Sequence, residues 1–364
     1  MLQRVTFATV AMSMAVFTAA AQSVTPSPTK APSATPSPSA TPMPSPQQLI
    51  DSLGAADIQA AIASIKTNFT EPAALGDDEL NRALLHGLLV RYPRGFVLLP
   101  GGSLAPAESP APFYSEIFEG HIGYLRLGAL NDANVKALDK KLTEFGKIDA
   151  VIVDLREKDA GSDFSAAAEV AKRFCPKGKL LFTLRKPASR QDRQFQSDRD
   201  PAIRALMTVL VDGDTAGAAE PVAAALRLYD KALVIGQTTA GRAVEYSDVP
   251  LPSGKLLRVA TAEAVLPDGR LLFPQGLKPD LEVTMPAVEK AQIFQTSAEK
   301  GMAQFVYETE RPHLNEAALI AGTNPELEAA GDRRQRGRDR QPVRDPVLQR
   351  ALDVLTSLEI YQKR

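Results

Sequence analysis

The stretch that decides the fold is residues 150–174, AVIVDLREKDAGSDFSAAAEVAKRF. Its opening, AVIVDL at 150–155, is an apolar run bounded by charge, which is typical of a strand buried on both faces of a sheet. Residues 165–174 then space alanine and larger apolar side chains as a helix does. A strand joined to a helix by a short connection is the unit from which parallel sheets are built.

The same alternation continues on both sides of this unit. The pattern predicts further strands at 122–127, 179–184, 206–211 and 232–235, with further helices after Asn131 and over 215–229. A β-rich stretch follows, with strands predicted at 243–249, 256–266 and 271–273 and a last strand after Pro279-Asp280. The expected fold class is therefore α/β with a largely parallel core.

Helical patterns flank this core. Apolar residues at near-helical spacing fill 49–69, and a second helix is predicted from the Asp77-Asp78 cap signal to near Pro93. An amphipathic helix is predicted at 347–361, behind the charged run 332–346. That run could bind an anionic polymer, but its interleaved aspartates favour a solvated linker.

The first 48 residues carry two segments that are not expected to fold. Arg4, the apolar stretch Val5–Phe17 and the alanines 19–21 resemble a cleavable export signal over 1–21. The apolar stretch is short against the roughly 20 residues that a bilayer span needs. Residues 22–48 contain eight of the 28 prolines and predict an extended, disordered tether.

Composition excludes several classes of protein. The formal net charge of the 364 residues is −1, so no overall positive field would draw the chain to nucleic acid. One cysteine, Cys175, excludes an intramolecular disulfide framework, and with three histidines no zinc cluster is expected. We expect no metal and no cofactor, so any chemistry must use hydroxyls, carboxylates and amines.

Three segments together resemble the tail-specific, or C-terminal-processing, serine peptidases of the S41 type. They are AVIVDLREKDAG at 150–161, VLVDGDTAGAAE at 209–220 and GQTTAGR at 236–242, and the likeness in order and spacing runs over about 119–285. The resemblance implies a ClpP/crotonase-like protease core with N-terminal helices and a β-rich C-terminal half. Between Gly95 and Gly120 the chain has only about 25 residues, so the PDZ domain of many family members is expected to be missing.

In active members of the resembled family, a serine nucleophile at a helix start works with a lysine 25 residues later as general base. Carried over by position, the nucleophile falls on Gly217 and the base on Arg242, and the spacing of 25 is kept. Gly217 has no side chain to attack a carbonyl. Arg242 stays protonated at neutral pH and cannot accept a proton. The resemblance therefore implies a degenerate member with no intact catalytic pair.

The neighbouring residues give weaker expectations. Thr215 is a possible substitute nucleophile, although capping of the next helix by Asp214 or Thr215 is the plainer interpretation. Residues expected to line the binding site are Gly161, Ala216, Ala218 and Gly241. Structural roles are expected for an Asp154–Arg156 charge pair at the strand-to-loop turn, for Glu220 in the first helical turn, for His121 and for a buried Cys175.

The resembled motif has Asn, Pro and Gly where this chain has Lys158, Asp159 and Ala160. The oxyanion side of the site is therefore expected to be altered as well.

The expected function is that of an exported, periplasmic or extracellular, S41-like protein that has lost hydrolysis and works as a binding or scaffold module. Its expected partner is a peptide or protein C-terminal segment, or an apolar small ligand, and it could form a homo-oligomer. The alternatives are a serine-type endopeptidase with a non-standard residue set and an envelope spacer. The expected segments are 1–21, 22–48, 49–95, 119–285 and 286–364.

Overall fold

The structure is a computed structural model that describes residues 45–101, 110–157, 162–229, 231–306 and 343–362. The chain divides into two compact units, up to Leu75 and from Gly76 onward. This division falls inside the predicted helical segment 49–95, and each unit is described by itself. The predicted export signal 1–21, all but the end of the tether 22–48, and most of the charged run 332–346 lie outside the described residues.

The first unit contains two helices, α1 (Pro46–Asp51) and α2 (Ala55–Asn68), followed by a 3-10 turn at Pro72–Leu75. Helix α1 begins inside the predicted tether because Ser45 and Gln48 form a reciprocal capping box, with the Gln48 side chain accepting from the Ser45 N–H at 2.8 Å. The apolar pattern at 49–69 is therefore two helices with a break before Ala55, not one.

The second unit contains the remaining elements. Its helices are α3 (Asp77–Arg91), α4 (Asp132–Glu144), α5 (Phe164–Lys172), α6 (Ala219–Tyr229), α7 (Ala287–Lys300) and α8 (Pro346–Gln362). Its strands are β1 (Phe96–Leu99), β2 (Tyr114–Phe118), β3 (Ile122–Arg126), β4 (Ala150–Asp154), β5 (Leu180–Arg185), β6 (Arg193–Gln196), β7 (Leu206–Val211), β8 (Leu233–Gly236), β9 (Val244–Pro250), β10 (Leu256–Val265) and β11 (Leu281–Glu282). The mixture of helices and strands confirms the predicted α/β class.

The central sheet has the strand order β11-β8-β7-β4-β3-β2. All its neighbours pair in parallel except β2 with β3, which are antiparallel. Every residue of β4 is buried, as its apolar run predicts. Because the parallel strands β4, β7 and β8 all end at one edge, the loops that follow them are brought together there.

Both faces of this sheet are covered. Helices α4, α5 and α6 pack on the face that carries Val151 and Val153, while α7 and α8 pack on the face that carries Ile152. The alternation of these β4 side chains between two apolar cores is the period of 2 that a strand imposes. The predicted cap of α4 is confirmed, since the Asn131 side chain accepts from the Asn134 N–H at 2.9 Å.

A second, antiparallel sheet has the order β1-β10-β5-β6, with β9 on the other edge of β10. Strands β9 and β10 of this sheet come from the predicted β-rich region. The sheet also contains β5, although the sequence pattern predicts β5 as a strand of the parallel core. Strands β1, β2 and β6 have no counterpart among the predicted strands. The predicted strand 271–273 is wrong, because only an isolated bridge joins Leu271 to Val265.

One boundary matters for the site. Helix α6 begins at Ala219, four residues after the predicted start at 215. The intervening residues form turns, because Asp212 Oδ1 accepts the N–H groups of Asp214 and Thr215, and Gly217 has a φ of +59°.

Among the helices of the described residues, none has the length and apolar character to cross a bilayer.

Candidate functional site

The predicted nucleophile position lies in the loop between β7 and α6. Gly217 occupies the turn just before α6 and has a φ of +59°, a left-handed conformation that glycine adopts without penalty. Its flank Ala216 is half-buried, and Ala218 is buried. Gly217 therefore offers main chain, and no reacting group, at the carboxyl edge of the parallel sheet.

The loop that follows β8 is bonded to this turn. Ala240 N–H donates to the Thr215 carbonyl at 2.9 Å. The buried carboxylate of Glu220 accepts from the Thr239 hydroxyl at 2.7 Å, from Gly241 N–H at 3.1 Å and from Arg242 N–H at 2.6 Å. Residues 215–220 and 239–242 are therefore one hydrogen-bonded unit, with Gly217 in one segment and Arg242 at the end of the other.

Glu220 is a buried acid that holds main chain. Burial raises its pKa above the usual range, and the donors from Thr239, Arg242 and Gly241 oppose that rise. The sequence suggests only that this glutamate complements the helix dipole. The structure gives it a second task, because all three of its partners belong to the 239–242 segment.

Gly241 is required by close packing. Its φ is +64°, and a Cβ at this position would collide with the carbonyl oxygen of Pro274. The same carbonyl accepts a hydrogen bond from Arg94 Nη1. The loop that carries Arg242 is thus held from the α6 side by Glu220 and from the opposite side by the main chain at Pro274.

The side chain of Arg242 is exposed. Among the residues that the structure describes, its guanidinium has no ion pair or side-chain hydrogen bond. A guanidinium keeps its proton at any physiological pH, so this group cannot take a proton from a nucleophile. It can donate hydrogen bonds to an anion.

Thr215, the candidate substitute nucleophile, is buried, and its hydroxyl is already engaged. The hydroxyl donates to the Leu155 carbonyl at 2.9 Å and accepts from the Asp212 N–H at 3.0 Å. The predicted capping of the helix by Asp214 or Thr215 is wrong, since α6 begins at Ala219. Thr215 instead ties the loop after β7 to the loop after β4.

Lys290 is the amine that sequence reasoning missed. It lies on α7, and its buried Nζ donates to the Arg156 carbonyl at 2.8 Å, to Asp212 Oδ2 at 2.6 Å and to Asp214 Oδ2 at 2.7 Å. An ammonium group has three protons, and these three acceptors use all of them. Through these three contacts Lys290 links α7 to the loop that leads to Gly217.

The predicted Asp154–Arg156 charge pair is confirmed and proves to be part of a larger buried group. Arg156 donates to Asp154 Oδ1 at 3.0 Å and Oδ2 at 2.7 Å, and to Asp345 Oδ1 at 3.0 Å and Oδ2 at 2.7 Å. Tyr124 adds a hydroxyl donor to Asp154 at 2.7 Å. Burial alone would raise the pKa of Asp154, but the Arg156 guanidinium holds it below the usual range.

The remaining predicted residues are placed as follows. Gly161, with Lys158, Asp159 and Ala160 before it, lies outside the described residues. His121 bonds to Glu359 on α8 at 2.9 Å, which confirms a structural role, and Cys175 is buried.

A hollow of about 500 Å³ lies at the amino ends of β4 and β7, lined in part by Asp149, Arg204 and Leu206. The parallel strands of the sheet separate it from Gly217, which follows their carboxyl ends. This hollow therefore does not belong to the candidate site.

Comparison with known proteins finds a peptidase family over this part of the chain. Residues 121–283 match the family described as "Peptidase family S41". The chain is 28% identical over 167 residues to a "Probable CtpA-like serine protease" of Staphylococcus aureus strain bovine RF122, covering 46% of this chain and 32% of that protein. It is 30% identical over 179 residues to a "Carboxy-terminal-processing protease" of Bartonella bacilliformis, covering 47% of this chain and 41% of that protein.

Among solved structures, the photosystem II D1 C-terminal processing protease superposes with a TM-score of 0.40 at 24% identity, covering 48% of each chain. The chain thus spans between a third and a half of the length of the curated relatives it matches. The order of the motifs, the parallel sheet that carries them and the family match all fall on the same residues. The match to peptidase family S41 therefore covers residues 121–283, the part of the chain that carries the parallel sheet, Gly217 and Arg242.

Proposed function

We propose that this protein is an S41 domain that has lost hydrolysis and binds peptide segments as a recognition or scaffold module. The observation that carries the proposal is the pair Gly217 and Arg242. The first position has no nucleophile, and the second has a cation that cannot act as a base. The frame around them is intact, since Glu220 still joins the two segments.

The hydroxyl and the amine nearest to the lost pair, those of Thr215 and Lys290, support the same proposal. The Thr215 hydroxyl is buried and bonded on both its donor and its acceptor side. The Lys290 amine has its three protons engaged with oxygen acceptors. A nucleophile needs a free hydroxyl within reach of an unprotonated base, and neither group meets this requirement.

The test is hydrolysis by the purified full chain. We expect no cleavage of casein or of fluorescent peptides and no labelling by a fluorophosphonate probe. The informative variant is Gly217→Ser with Arg242→Lys, which restores both family groups; the matched control is Gly213→Ser with Arg242→Lys, which places the hydroxyl four residues away. Turnover by the unmodified chain that survives purification and is lost in Thr215→Ala would overturn the proposal.

A second candidate is a serine-type endopeptidase that works with a non-standard residue set. The relatives favour it, since those matched are described as a serine protease and a carboxy-terminal-processing protease. Stoichiometric labelling by a fluorophosphonate would support it, and mapping the labelled residue would identify the nucleophile. Absence of labelling together with measurable peptide binding would reject it.

We also propose that the protein works outside the cytoplasm, in the periplasm or beyond the cell. The support is the pattern of Arg4, the apolar stretch to Phe17 and the alanines 19–21, followed by a proline-rich segment. N-terminal sequencing of the protein recovered from cells should begin at residue 22. A chain recovered from the cytosol with Met1 in place would contradict this proposal.

A further inference from the structure

Helix α7 buries more polar side chains than apolar ones. Its three buried residues are Lys290, Ile293 and Ser297, and only Ile293 is apolar. Lys290 and Ser297 are seven residues apart and therefore lie on one face of the helix. The Ser297 hydroxyl accepts from Arg126 Nη1 at 3.0 Å, at the carboxyl end of β3. Polar groups therefore make up much of the contact between α7 and this edge of the sheet.

The amino group of Lys290 joins two loops at the carboxyl edge. It donates to the Arg156 carbonyl, in the loop after β4, at 2.8 Å. It also donates to Asp212 and Asp214, in the loop after β7, at 2.6 and 2.7 Å. One side chain from α7 thus holds together two segments that the sheet brings side by side.

Asp212 extends this contact into the turn before α6. Its Oδ2 atom accepts from Lys290, and its Oδ1 atom accepts the N–H groups of Asp214 and Thr215 at 3.0 and 3.1 Å. The same carboxylate therefore bonds α7 on one side and the main chain of the turn on the other. Such charge-assisted hydrogen bonds are stronger than those between neutral groups.

Thr215 connects the turn to the loops on either side. Its hydroxyl donates to the Leu155 carbonyl at 2.9 Å, and its own carbonyl accepts from Ala240 N–H at 2.9 Å. Gly217 is two residues further along the chain. The contacts that begin at Lys290 thus lead, through Asp212 and Thr215, to the main chain of the candidate site.

The two aspartates depend on Lys290 for a counter-charge. Among the residues that the structure describes, Asp212 and Asp214 form ion pairs with Lys290 alone. The guanidinium of Arg156 is engaged by two other carboxylates. Removing the Lys290 amino group would leave two like charges near each other, one of them on a side chain that is only 13% exposed. The cost of the removal therefore falls on the loop that leads to Gly217.

We propose that Lys290 is a positioning residue for the candidate site, whose amino group acts as an internal cation that fixes the loop 212–217 and with it the main chain at Gly217. The inference rests on the proposed function in that it treats this main chain as part of the ligand-binding surface. A main chain that is fixed before the ligand arrives loses less entropy on binding. Lys290 would thus act on the ligand through the loop, without touching it.

Hydrogen exchange of the full chain, followed by mass spectrometry, measures this positioning. In Lys290→Ala we expect amide exchange at 213–218 to be about ten-fold faster than in the wild type, as is usual when a charged hydrogen bond that closes a local opening is lost. Exchange in α4, which lies on the other face of the sheet, should not change. The matched control is Lys300→Ala, at an exposed position on the same helix, which should leave both segments unchanged.

Chemical rescue separates the amino group from the rest of the side chain. In Lys290→Ala, a free n-propylammonium ion can meet the same oxygen acceptors, and a ligand that binds the closed loop shifts the opening equilibrium back. We expect n-propylammonium chloride to bring exchange at 213–218 to within about three-fold of the wild type, and sodium chloride at equal concentration to have no such effect. Should Lys290→Ala not fold, Lys290→Met keeps an unbranched apolar chain in place, and its local exchange is judged by the same criteria.

Peptide binding links the loop to the proposed function. The probe is a fluorescein-labelled pool of randomised decapeptides, with binding followed by fluorescence polarisation. We expect Lys290→Ala to bind the pool about ten-fold more weakly than the wild type, n-propylammonium to restore the affinity, and Lys300→Ala to bind as the wild type does.

The other outcomes separate the positioning role from the proposed function. Unchanged exchange at 213–218 in Lys290→Ala would overturn the role, and so would an equal increase in α4, which indicates a general loss of stability. Equal rescue by sodium chloride, or no rescue by either salt, would also reject it.

Faster local exchange with unchanged peptide affinity would reject a role of Lys290 in ligand binding and leave the proposed function standing. Failure of the wild type to bind any peptide would overturn the proposed function, whereas exchange at 213–218 would still decide whether Lys290 positions the loop.

Discussion

The main-chain N–H of Arg242 donates a hydrogen bond to Oε1 of Glu220 across 2.6 Å, so the segment that carries the predicted base position is bonded directly to the first turn of α6. The other carboxylate oxygen accepts from Thr239 and Gly241 in the same segment. The segments of Gly217 and Arg242 are therefore joined by contacts that involve neither residue's side chain.

Replacing this carboxylate should destabilise the second unit. Glu220→Gln turns an NH2 group toward donors on one side, and we expect a loss of about 1.5–3 kcal/mol in the free energy of unfolding, as is usual for hydrogen bonds to a charged group. Urea unfolding followed by circular dichroism measures it. Glu144→Gln, at an exposed position on α4, is the control and should change stability by less than about 0.5 kcal/mol. Equal effects of the two variants would contradict the supporting role of Glu220.

Restoring a hydroxyl at the nucleophile position should carry a conformational cost. Gly217 has a φ of +59°, and an L-residue in this region costs roughly 1–2 kcal/mol. Gly217→Ser should therefore lower the free energy of unfolding by about that amount in urea titrations. Gly213→Ser, at a site with open space for a Cβ and no positive φ, should be close to neutral. A Gly217→Ser variant as stable as Gly213→Ser would show that the turn relaxes.

Among the ion pairs discussed, the buried pair of Arg156 with Asp345 should cost the most stability when it is broken. Asp345 pairs with Arg156 and also accepts from the N–H groups of Val347 and Leu348 at the start of α8. Asp345→Ala leaves a buried guanidinium with one partner fewer, and breaking such a pair typically costs about 3–5 kcal/mol. Differential scanning calorimetry should show this loss, while Asp353→Ala, at an exposed position on α8, should cost less than about 1 kcal/mol.

The contact between His121 and Glu359 should make stability depend on pH. The Glu119 carbonyl and the Glu359 carboxylate raise the pKa of His121 above 6.5, and burial opposes them. A histidine whose pKa is raised in the folded state contributes stability below its unfolded pKa and loses it as pH rises through the folded pKa. We therefore expect the stabilisation to be complete below about pH 6.5 and to fade above it.

Thermal unfolding of the wild type and of His121→Gln over pH 5.5–9 tests this expectation. The difference between the two proteins should shrink as pH rises, by no more than about 1 kcal/mol because His121 is partly exposed. Glu359→Gln removes the carboxylate partner of His121 and should reduce the pH dependence in the same direction. A difference that grows with pH would reverse the sign and contradict the assignment.

The sequence by itself determined the fold class and the family resemblance. Local signals were sufficient for these two conclusions, since an apolar run predicts β4 and an asparagine cap predicts α4. The assignment of Gly217 and Arg242 to the positions of the reacting groups rests on the order and spacing of three motifs and stays a prediction.

Only the tertiary structure decided which groups meet. Strand β5 belongs to the second sheet because it pairs with β10. In this pairing Arg185 of β5 lies opposite Glu263 of β10, which is 78 residues later in the chain. Lys290 on α7 and Asp345 just before α8 contact loop residues that lie far away along the chain, and nothing in the residues around them marks the partner. The spacing of apolar residues predicts helices and strands because each of these elements repeats within a few neighbouring residues. Contacts between distant elements depend on how complete surfaces pack, and that information becomes explicit only once the chain has folded.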